Sequence, residues 1–425
     1  MQLTISPSKL TGTVKSPPSK SMTHRAIFAA ALSNGNSVIN NVSASDDIET
    51  TFNAVKAIGC KLFSLDKTVK VVGIGQKKDF INDEELNICC LESGSTLRFL
   101  IPIIAAFGIN ARIFGKGRLL ERPIKPYVDS FRDKGVNITK ELDFIHISGK
   151  LVPGKFTIDG SLSSQFVTGL LLALPILNGD SEIEIVGNLG SKPYVDMTID
   201  VLKFFGIVIN EIRSGYQIFG NQTYKSCNYT VEGDYSQAAF FEVLGCINPV
   251  KIKGLKRNSY QGDKIMLNLI ESCGANVEWQ DNAVVVKPGN RLKAFRASVI
   301  NTPDLAPAMS VLACMCEGSS KIEGISRLKL KESDRIVSTT SMIKSLGGEI
   351  KVFDNYMIVE GVKKLAGGTV DSYNDHRIVM AASIAAAYSK DPVKILNAQS
   401  VNKSYPNFFE DYKSLGGVVN GINLE

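Results

Sequence analysis

The sequence is poor in the residues from which metal sites, disulfide frameworks and membrane spans are built. Its 425 residues hold three histidines, one tryptophan and eight cysteines. No histidine lies near two cysteines or carboxylates at ligand spacing, so no metal site is expected. The cysteines form no CxxC pair and no regular framework, and read as reduced thiols of a cytoplasmic protein. Cys89–Cys90 and Cys314/Cys316 read as core residues. The longest apolar stretches, 97–108 and 169–177, are short and broken by Arg98, Pro102 and Pro175. A membrane span needs about 20 apolar residues, so none is expected. The opening MQLTISPSKLTG has no basic region followed by an apolar one, which speaks against a secretory signal. No run of six like charges occurs, and 48 basic against 42 acidic residues leave a net charge of +6. Such a diffuse surplus does not define a nucleic-acid binder. GxxxxGK[ST], GxGxxG and GxSxG are all absent, which removes the P-loop, the dinucleotide fingerprint and the hydrolase elbow. GIGQ at Gly73 reads as a strand-end turn.

What the chain does contain is an internal repeat. A polar or capping residue followed by a helix of small apolar residues recurs as SKSMTHRAIFAAAL, STLRFLIPIIAAFG, SSQFVTGLLLALPIL, YSQAAFFEVLGCI, DLAPAMSVLACMC and NDHRIVMAASIAAAY. With Ser21, Ser95, Ser164, Ser236, Ala306 and His376 as equivalent points, the intervals are 74, 69, 72, 70 and 70 residues. A second, amphipathic helix ends each time at a glycine: 59, 135, 206, 274, 347 and 416. Glycine suits a left-handed helix C-terminus, which explains its recurrence there. Between the helices lie β-branched or alternating runs such as TVKVVGI, DFIHISG and YMIVEG, which read as strands. The pattern predicts six α+β modules of about 70 residues, grouped as two globules of three. The first helix of each module is apolar nearly all round and belongs in a centre, and the second carries a charged outer face.

Several of the apolar helices begin with residues that local electrostatics disfavours. A helix N-terminus is electropositive. Yet Lys20 and Arg25 open the first copy, Arg98 stands early in the second, and Arg377 lies in the first turn of the sixth. Lys331 and Arg335 flank a helix running from Asp334 towards Gly347, and loops add Arg118, Arg122 and Lys403. Singly, each fits a solvated basic face or a surface ion pair. Recurring at equivalent repeat positions, the set reads as a receptor for anions. Asp304 and Glu332 suit either a first-turn cap or an acid/base group held ionised among cations. Lys20 suits both an anion clamp and a proton carrier, since crowding by cations lowers a lysine pKa. Ser163, Ser164 and Gln165 offer donors for a phosphate, or a plain N-cap. His24 and His376 admit either a site role or a structural one, and His146 reads as structural.

Nine motifs in order, SKSMTHRA, ESGSTLR, RLLERPI, DGSLSSQF, SKPYVDMT, TPDLAPAM, KESDR, YNDHR and NKSYPNFF, resemble the 5-enolpyruvylshikimate-3-phosphate synthases among the enolpyruvyl transferases. The likeness runs from about residue 3 to 409. It implies an α/β fold of two domains, each of three βαβαββ units with buried parallel helices, and an active site in the interdomain cleft. The implied domains are 1–18 plus 231–425, carrying the phosphoenolpyruvate side and the catalytic carboxylates, and 19–230, carrying the shikimate 3-phosphate side. The implied reaction moves the enolpyruvyl group of phosphoenolpyruvate to the 5-hydroxyl of shikimate 3-phosphate through a tetrahedral intermediate. By the same likeness Lys20, Ser21, Arg25, Ser163, Ser164, Gln165, Ser191, Tyr194, Asp304 and Lys331 hold shikimate 3-phosphate. Lys20, Gly94, Arg98, Arg122, Gln165, Arg335, Arg377 and Lys403 surround phosphoenolpyruvate, and Asp304, Glu332 and Lys20 are catalytic. No metal or cofactor is implied, and the expected protein is a cytoplasmic monomer acting on two small molecules, without nucleic acid or membrane.

Three positions depart from the family pattern. Glu92 stands where Asn is frequent, Arg327 where an Asn commonly meets the shikimate phosphate, and Pro18 where Gly precedes SKS. Glu92 is expected to point away from the phosphates or to pair with a cation. Two other readings remain. A UDP-N-acetylglucosamine enolpyruvyl transferase carries a catalytic Cys in the loop that here spans 115–123 without cysteine. An RNA-end-modifying protein on related modules has only the scattered positive charge in its favour.

Overall fold

The computed structural model describes residues 1–75 and 85–422; Gln76 of the GIGQ turn lies outside them, while the strand before it ends at Ile74 and Gly75 takes a φ of 60°. The helices are α1 (Lys20–Leu32), α2 (Asp46–Ala57), α3 (Gly94–Phe107), α4 (Lys125–Phe131), α5 (Ser164–Ala173), α6 (Lys192–Phe204), α7 (Tyr235–Gly245), α8 (Ile265–Cys273), α9 (Ala306–Met315), α10 (Arg335–Ser345), α11 (His376–Ala386) and α12 (Phe408–Ser414). The six repeat points of the sequence fall on the first or second residue of the odd-numbered helices. Every residue of α7, α9 and α11 is buried, even Gln237 and Glu242 in α7 and His376 and Arg377 at the start of α11. The even-numbered helices bury one face only. All six repeated glycines have positive φ, between 75° and 109°, and turn the chain from these outer helices into the next strand.

The described strands form six four-stranded sheets of one design. In the second module Leu86–Cys89 runs parallel to Ala111–Phe114, which pairs antiparallel with Phe144–Gly149, which pairs antiparallel with Val136–Lys140. Four of the six parallel pairs bracket one buried helix each, α3, α5, α9 and α11, giving the βαβ crossover its usual role. Three modules borrow a strand from far along the chain. Gln2–Ser6 lies between Val393–Leu396 and Val418–Ile422, Gly12–Lys15 runs parallel to Val250–Lys253, and Asn228–Thr230 runs parallel to Asn34–Asn40.

The chain divides into two compact units, Met1–Ser19 with Glu232–Glu425, and Lys20–Val231. Each has its own apolar core. In the unit formed by Lys20–Val231, Phe28, Phe99, Phe166 and Leu170–Leu172 are fully buried at its centre. In the other, Phe240, Phe241, Leu312 and Ile384 hold the same place. Burying each such side chain contributes roughly 1.5–3 kcal/mol, so these helices are held by packing rather than by propensity. Cys90, Cys314 and Cys316 are buried as expected, but Cys89 is exposed, because it is the last residue of a strand whose alternation turns it outward. No described helix is long and apolar enough to cross a membrane, and no group of His, Cys, Asp or Glu among the described residues has the arrangement of a metal site.

Candidate active site

In the unit Lys20–Val231, four helix N-termini carry the basic and hydroxylic residues singled out above. Lys20 is the first residue of α1, and its Nζ lies 2.6 Å from Asp47 in the first turn of α2. A carboxylate therefore faces Lys20 where a crowd of cations was expected. Asp47 carried no signal in the sequence, since SDDIE reads as an ordinary acidic first turn.

Arg25, one turn deeper on α1, is 2% exposed and binds neutral oxygens. It donates to the Ser21 carbonyl at 2.7 Å, the Tyr194 carbonyl at 2.8 Å and Thr198 Oγ1 at 2.8 Å. Burial pulls its pKa down to about 10, still ionised at neutral pH. These bonds tie α1 to the start of α6, where Ser191 sits before the first turn with a left-handed φ of 61°. That conformation is costly for a non-glycine residue.

Arg98 is placed by α3 and α5 together. Pro102 has no N–H to give the carbonyl four residues back, and the freed Arg98 carbonyl accepts from Tyr127 Oη at 2.7 Å. Gly169 of α5 packs against this point, where a Cβ would come within 2.4 Å of the Arg98 carbonyl oxygen. The Arg98 guanidinium lies over Phe166 and donates to Gln165 Oε1 at 2.6 Å, while Gln165 Nε2 donates to Ser95 Oγ at 2.9 Å. Ser163 caps α5 by accepting from the Gln165 backbone, and Ser164 follows as its first, buried residue. Arg122 leaves its own short helical turn and packs on Gly94, where an added Cβ would stand 2.4 Å from its Nη1. Its Nε is buried without a hydrogen-bond partner. Glu92 reaches towards Gly117 in the loop 115–123.

In the other unit, Asp304 is the hub. It lies in the turn Pro303–Leu305 that leads into α9. Oδ1 accepts from Arg335 Nη1 at 2.6 Å and Lys331 Nζ at 3.3 Å, and Oδ2 accepts from Arg377 Nη2 at 2.8 Å. Arg335, wholly buried, also binds Glu332 at 2.6 Å and Asp375 at 2.8 Å. Asp375 is fully buried, caps α11 through the Arg377 N–H, and accepts from Ser333 Oγ at 3.0 Å. Lys403 is nearly buried and donates to the Asn374 carbonyl at 2.7 Å, beside two left-handed residues, Tyr373 and Asn374. His376, the first residue of α11, is buried with Nδ1 3.9 Å from Asp375.

The electrostatics follow from this packing. Burial alone would raise the Asp304 pKa, but Arg377, Lys331 and Arg335 together hold it well below the usual carboxylate range. Burial depresses Lys331, an effect the adjacent Asp304 opposes and Arg335 reinforces. Arg335 is kept protonated against its burial by Asp375, Glu332 and Asp304. Four basic groups, Lys331, Arg335, Arg377 and Lys403, stand with three carboxylates, Asp304, Glu332 and Asp375. Arg327 is directed to the Ile300 carbonyl at 3.4 Å, and Pro18 bridges Gly233.

The fold is that of a mixed α/β protein of repeated βαβαββ modules, with arginines and lysines gathered at helix ends in both units. Comparison with known proteins gives it a family. The family model for EPSP synthase (3-phosphoshikimate 1-carboxyvinyltransferase) matches residues 5–412, and the chain belongs to this family of transferases. The 3-phosphoshikimate 1-carboxyvinyltransferase of Clostridium kluyveri is 40% identical over 423 residues, covering 98% of both chains. That of Clostridium botulinum strain Alaska E43 is 41% identical over 427 residues, covering 99% of this chain and 98% of the other. The solved EPSP synthase of Acinetobacter baumannii superposes with a TM-score of 0.81 over 99% of this chain and 100% of that one, at 24% identity, a likeness of fold.

Proposed function

We infer that the chain transfers the enolpyruvyl group of phosphoenolpyruvate to the 5-hydroxyl of shikimate 3-phosphate, releasing phosphate, as a step of the shikimate pathway. The cluster around Asp304 is the observation that carries the reading: one carboxylate bonded to Arg335 at 2.6 Å, Arg377 at 2.8 Å and Lys331 at 3.3 Å. In this reading residues 19–230 receive shikimate 3-phosphate, and residues 1–18 with 231–425 supply the phosphoenolpyruvate side and the catalytic carboxylates. Arg25, Ser163, Ser164, Ser191 and Tyr194 hold the acceptor. Arg98, Arg122, Arg335, Arg377 and Lys403 neutralise the donor's phosphate and carboxylate, and Lys20 and Gln165 serve both.

Asp304 takes the proton of the 5-hydroxyl. Locked by three cations it is a weak base, but an anion that draws Arg335 and Arg377 to itself removes counter-charge and raises its proton affinity. Donor binding thereby readies the base. Glu332 and Lys20 move the proton to and from the donor's methylene carbon. The C–O bond forms at the adjacent carbon as that proton arrives; its later removal expels phosphate and restores the double bond. Buried cations already in place stabilise the charge that develops, a contribution typically of a few kcal/mol per group. No step calls for a metal or an organic cofactor. The protein works as a cytoplasmic monomer on two small molecules.

The test is phosphate release with both substrates, with each omitted in turn, and with UDP-N-acetylglucosamine replacing shikimate 3-phosphate. Release that requires phosphoenolpyruvate and shikimate 3-phosphate together supports the reading. Release with the nucleotide sugar instead, or none with the proper pair, overturns it.

A further inference from the structure

Helices α1 and α2 are joined by two successive rungs. Lys20 and His24 stand four residues apart on α1, and Asp47 and Thr51 four residues apart on α2, so each pair shares a helix face. The first rung is the Lys20–Asp47 ion pair at 2.6 Å. The second joins His24 Nδ1 to Thr51 Oγ1 at 2.7 Å. From Thr51 the hydroxyls continue: Thr51 Oγ1 to Thr96 Oγ1 at 2.7 Å, and Thr96 Oγ1 to Ser93 Oγ at 2.7 Å. Ser93 is the N-cap of α3, where its Oγ accepts from the Thr96 N–H, and it precedes Gly94, on which Arg122 packs. Thr51 Oγ1 also lies 3.3 Å from the Asp47 carbonyl, closing the second rung onto the first. None of the four side chains is more than 1% exposed.

We propose that His24 is a positioning residue which, through Thr51, Thr96 and Ser93, fixes the first turns of α1, α2 and α3 against one another and so sets where the Lys20 ammonium stands. The proposal rests on the reading of Lys20 as a group that meets both substrates. A buried hydroxyl chain needs an end that accepts or donates as required, and neutral imidazole does either by choice of tautomer. Burial, then Lys20 and Arg25, hold the His24 pKa well below its ordinary value, so the ring remains neutral. A cationic ring would be fixed as a donor and would repel Lys20. An apolar residue would leave Thr51 short of a partner in a buried place, and the turn carrying Asp47 would lose its reference.

Three variants test this: His24→Leu, which fills the space without the bond, His24→Asn, whose side-chain amide offers a donor or acceptor in its place, and Thr51→Val. With the full chain and both substrates, His24→Leu is expected to lower kcat about tenfold or more, as misplacement of a reacting group by a fraction of an ångström does. The melting temperature falls only as far as the loss of one buried hydrogen bond requires, and the KM for shikimate 3-phosphate rises less than kcat falls, because Arg25 and the serines are untouched. His24→Asn recovers most of the loss, and Thr51→Val costs less in the His24→Leu background than in the wild type, since both break the same rung while Thr51→Val also removes the bond to Thr96. Amide exchange in the first turns of α2 and α3 rises in His24→Leu. Wild-type kcat in His24→Leu, equal damage in His24→Asn, or multiplicative effects in the double variant would overturn the proposal. Should His24→Leu fail to fold, His24→Asn and Thr51→Val carry the same comparison. The exchange measurement needs no activity: unchanged exchange sinks the positioning role, whereas an inactive wild type sinks the functional reading instead.

Discussion

Arg335 is the residue on which the Asp304 cluster depends, because it is wholly buried and binds Asp304, Glu332 and Asp375 at once. Replacing it by methionine keeps the volume but leaves buried carboxylates without their cation. Arg335→Met is expected to destabilise the protein by about 3–5 kcal/mol, the usual effect of breaking a buried pair from one side, and to abolish turnover. Denaturant unfolding checks the first and phosphate release the second. Asp304→Ala should differ: shikimate 3-phosphate still binds, measured by calorimetry, while kcat falls by roughly 10²–10⁴, the range of a lost general base. A smaller change belongs to Gly94, where a Cβ would meet the Arg122 guanidinium at 2.4 Å. That neighbour is the far end of a flexible chain, so Gly94→Ala displaces Arg122 without unfolding α3. The KM for phosphoenolpyruvate rises, and the KM for shikimate 3-phosphate holds. The basic half of these pairs was legible in the sequence, because a cation in the first turn of an apolar helix breaks a local rule. Asp47 and Asp375 were not, since an acid at a helix start obeys that rule and attracts no notice.

At the scale of the element, the repeat was readable because two independent signals kept the same period. Gly135 illustrates why one of them recurs. Its φ is 75°, and a Cβ there would lie 2.6 Å from the Lys150 carbonyl oxygen. Gly135→Ala is expected to cost about 1–3 kcal/mol from backbone strain and contact together, with activity per folded molecule unchanged. The strands Gln2–Ser6, Gly12–Lys15 and Asn228–Thr230 complete modules whose remaining strands lie far along the chain, and periodicity alone could not assign them. The family resemblance placed the first strand with the C-terminal half and residues 228–230 with 19–230, but gave no pairing of Asn228–Thr230 with Asn34–Asn40. The hydroxyl chain from His24 to Ser93 was invisible for a related reason. Threonines 45 residues apart make one hydrogen bond only because α2 and α3 pack together.

For the molecule as a whole, the small surplus of six positive charges is better understood by position than by total. Lys20, Arg25, Arg98 and Arg122 stand in one compact unit, and Lys331, Arg335, Arg377 and Lys403 in the other. Part of the stability depends on pH through a neighbour of the second set. Asp263 is buried, and burial first, then Asp304, push its pKa up to about 7 from 3.8. Between those values the folded protein keeps a proton that the unfolded chain has lost, so this group's contribution falls as pH rises to about 7 and is level above it. Asp263→Asn removes that penalty while its carbonyl can still accept from Ser236. Its melting temperature should exceed that of wild type at pH 8 and match it near pH 4; the same difference at both values would remove Asp263 as the source. The central claim is that two anionic substrates are joined here through carbon–oxygen bond formation. Mass spectrometry of phosphoenolpyruvate and shikimate 3-phosphate incubated with the enzyme tests it most directly. The account predicts a product heavier than shikimate 3-phosphate by one enolpyruvyl group, formed in step with free phosphate and roughly 10²–10⁴-fold more slowly when Asp304→Ala replaces the wild type. Phosphate released while shikimate 3-phosphate keeps its mass would contradict it.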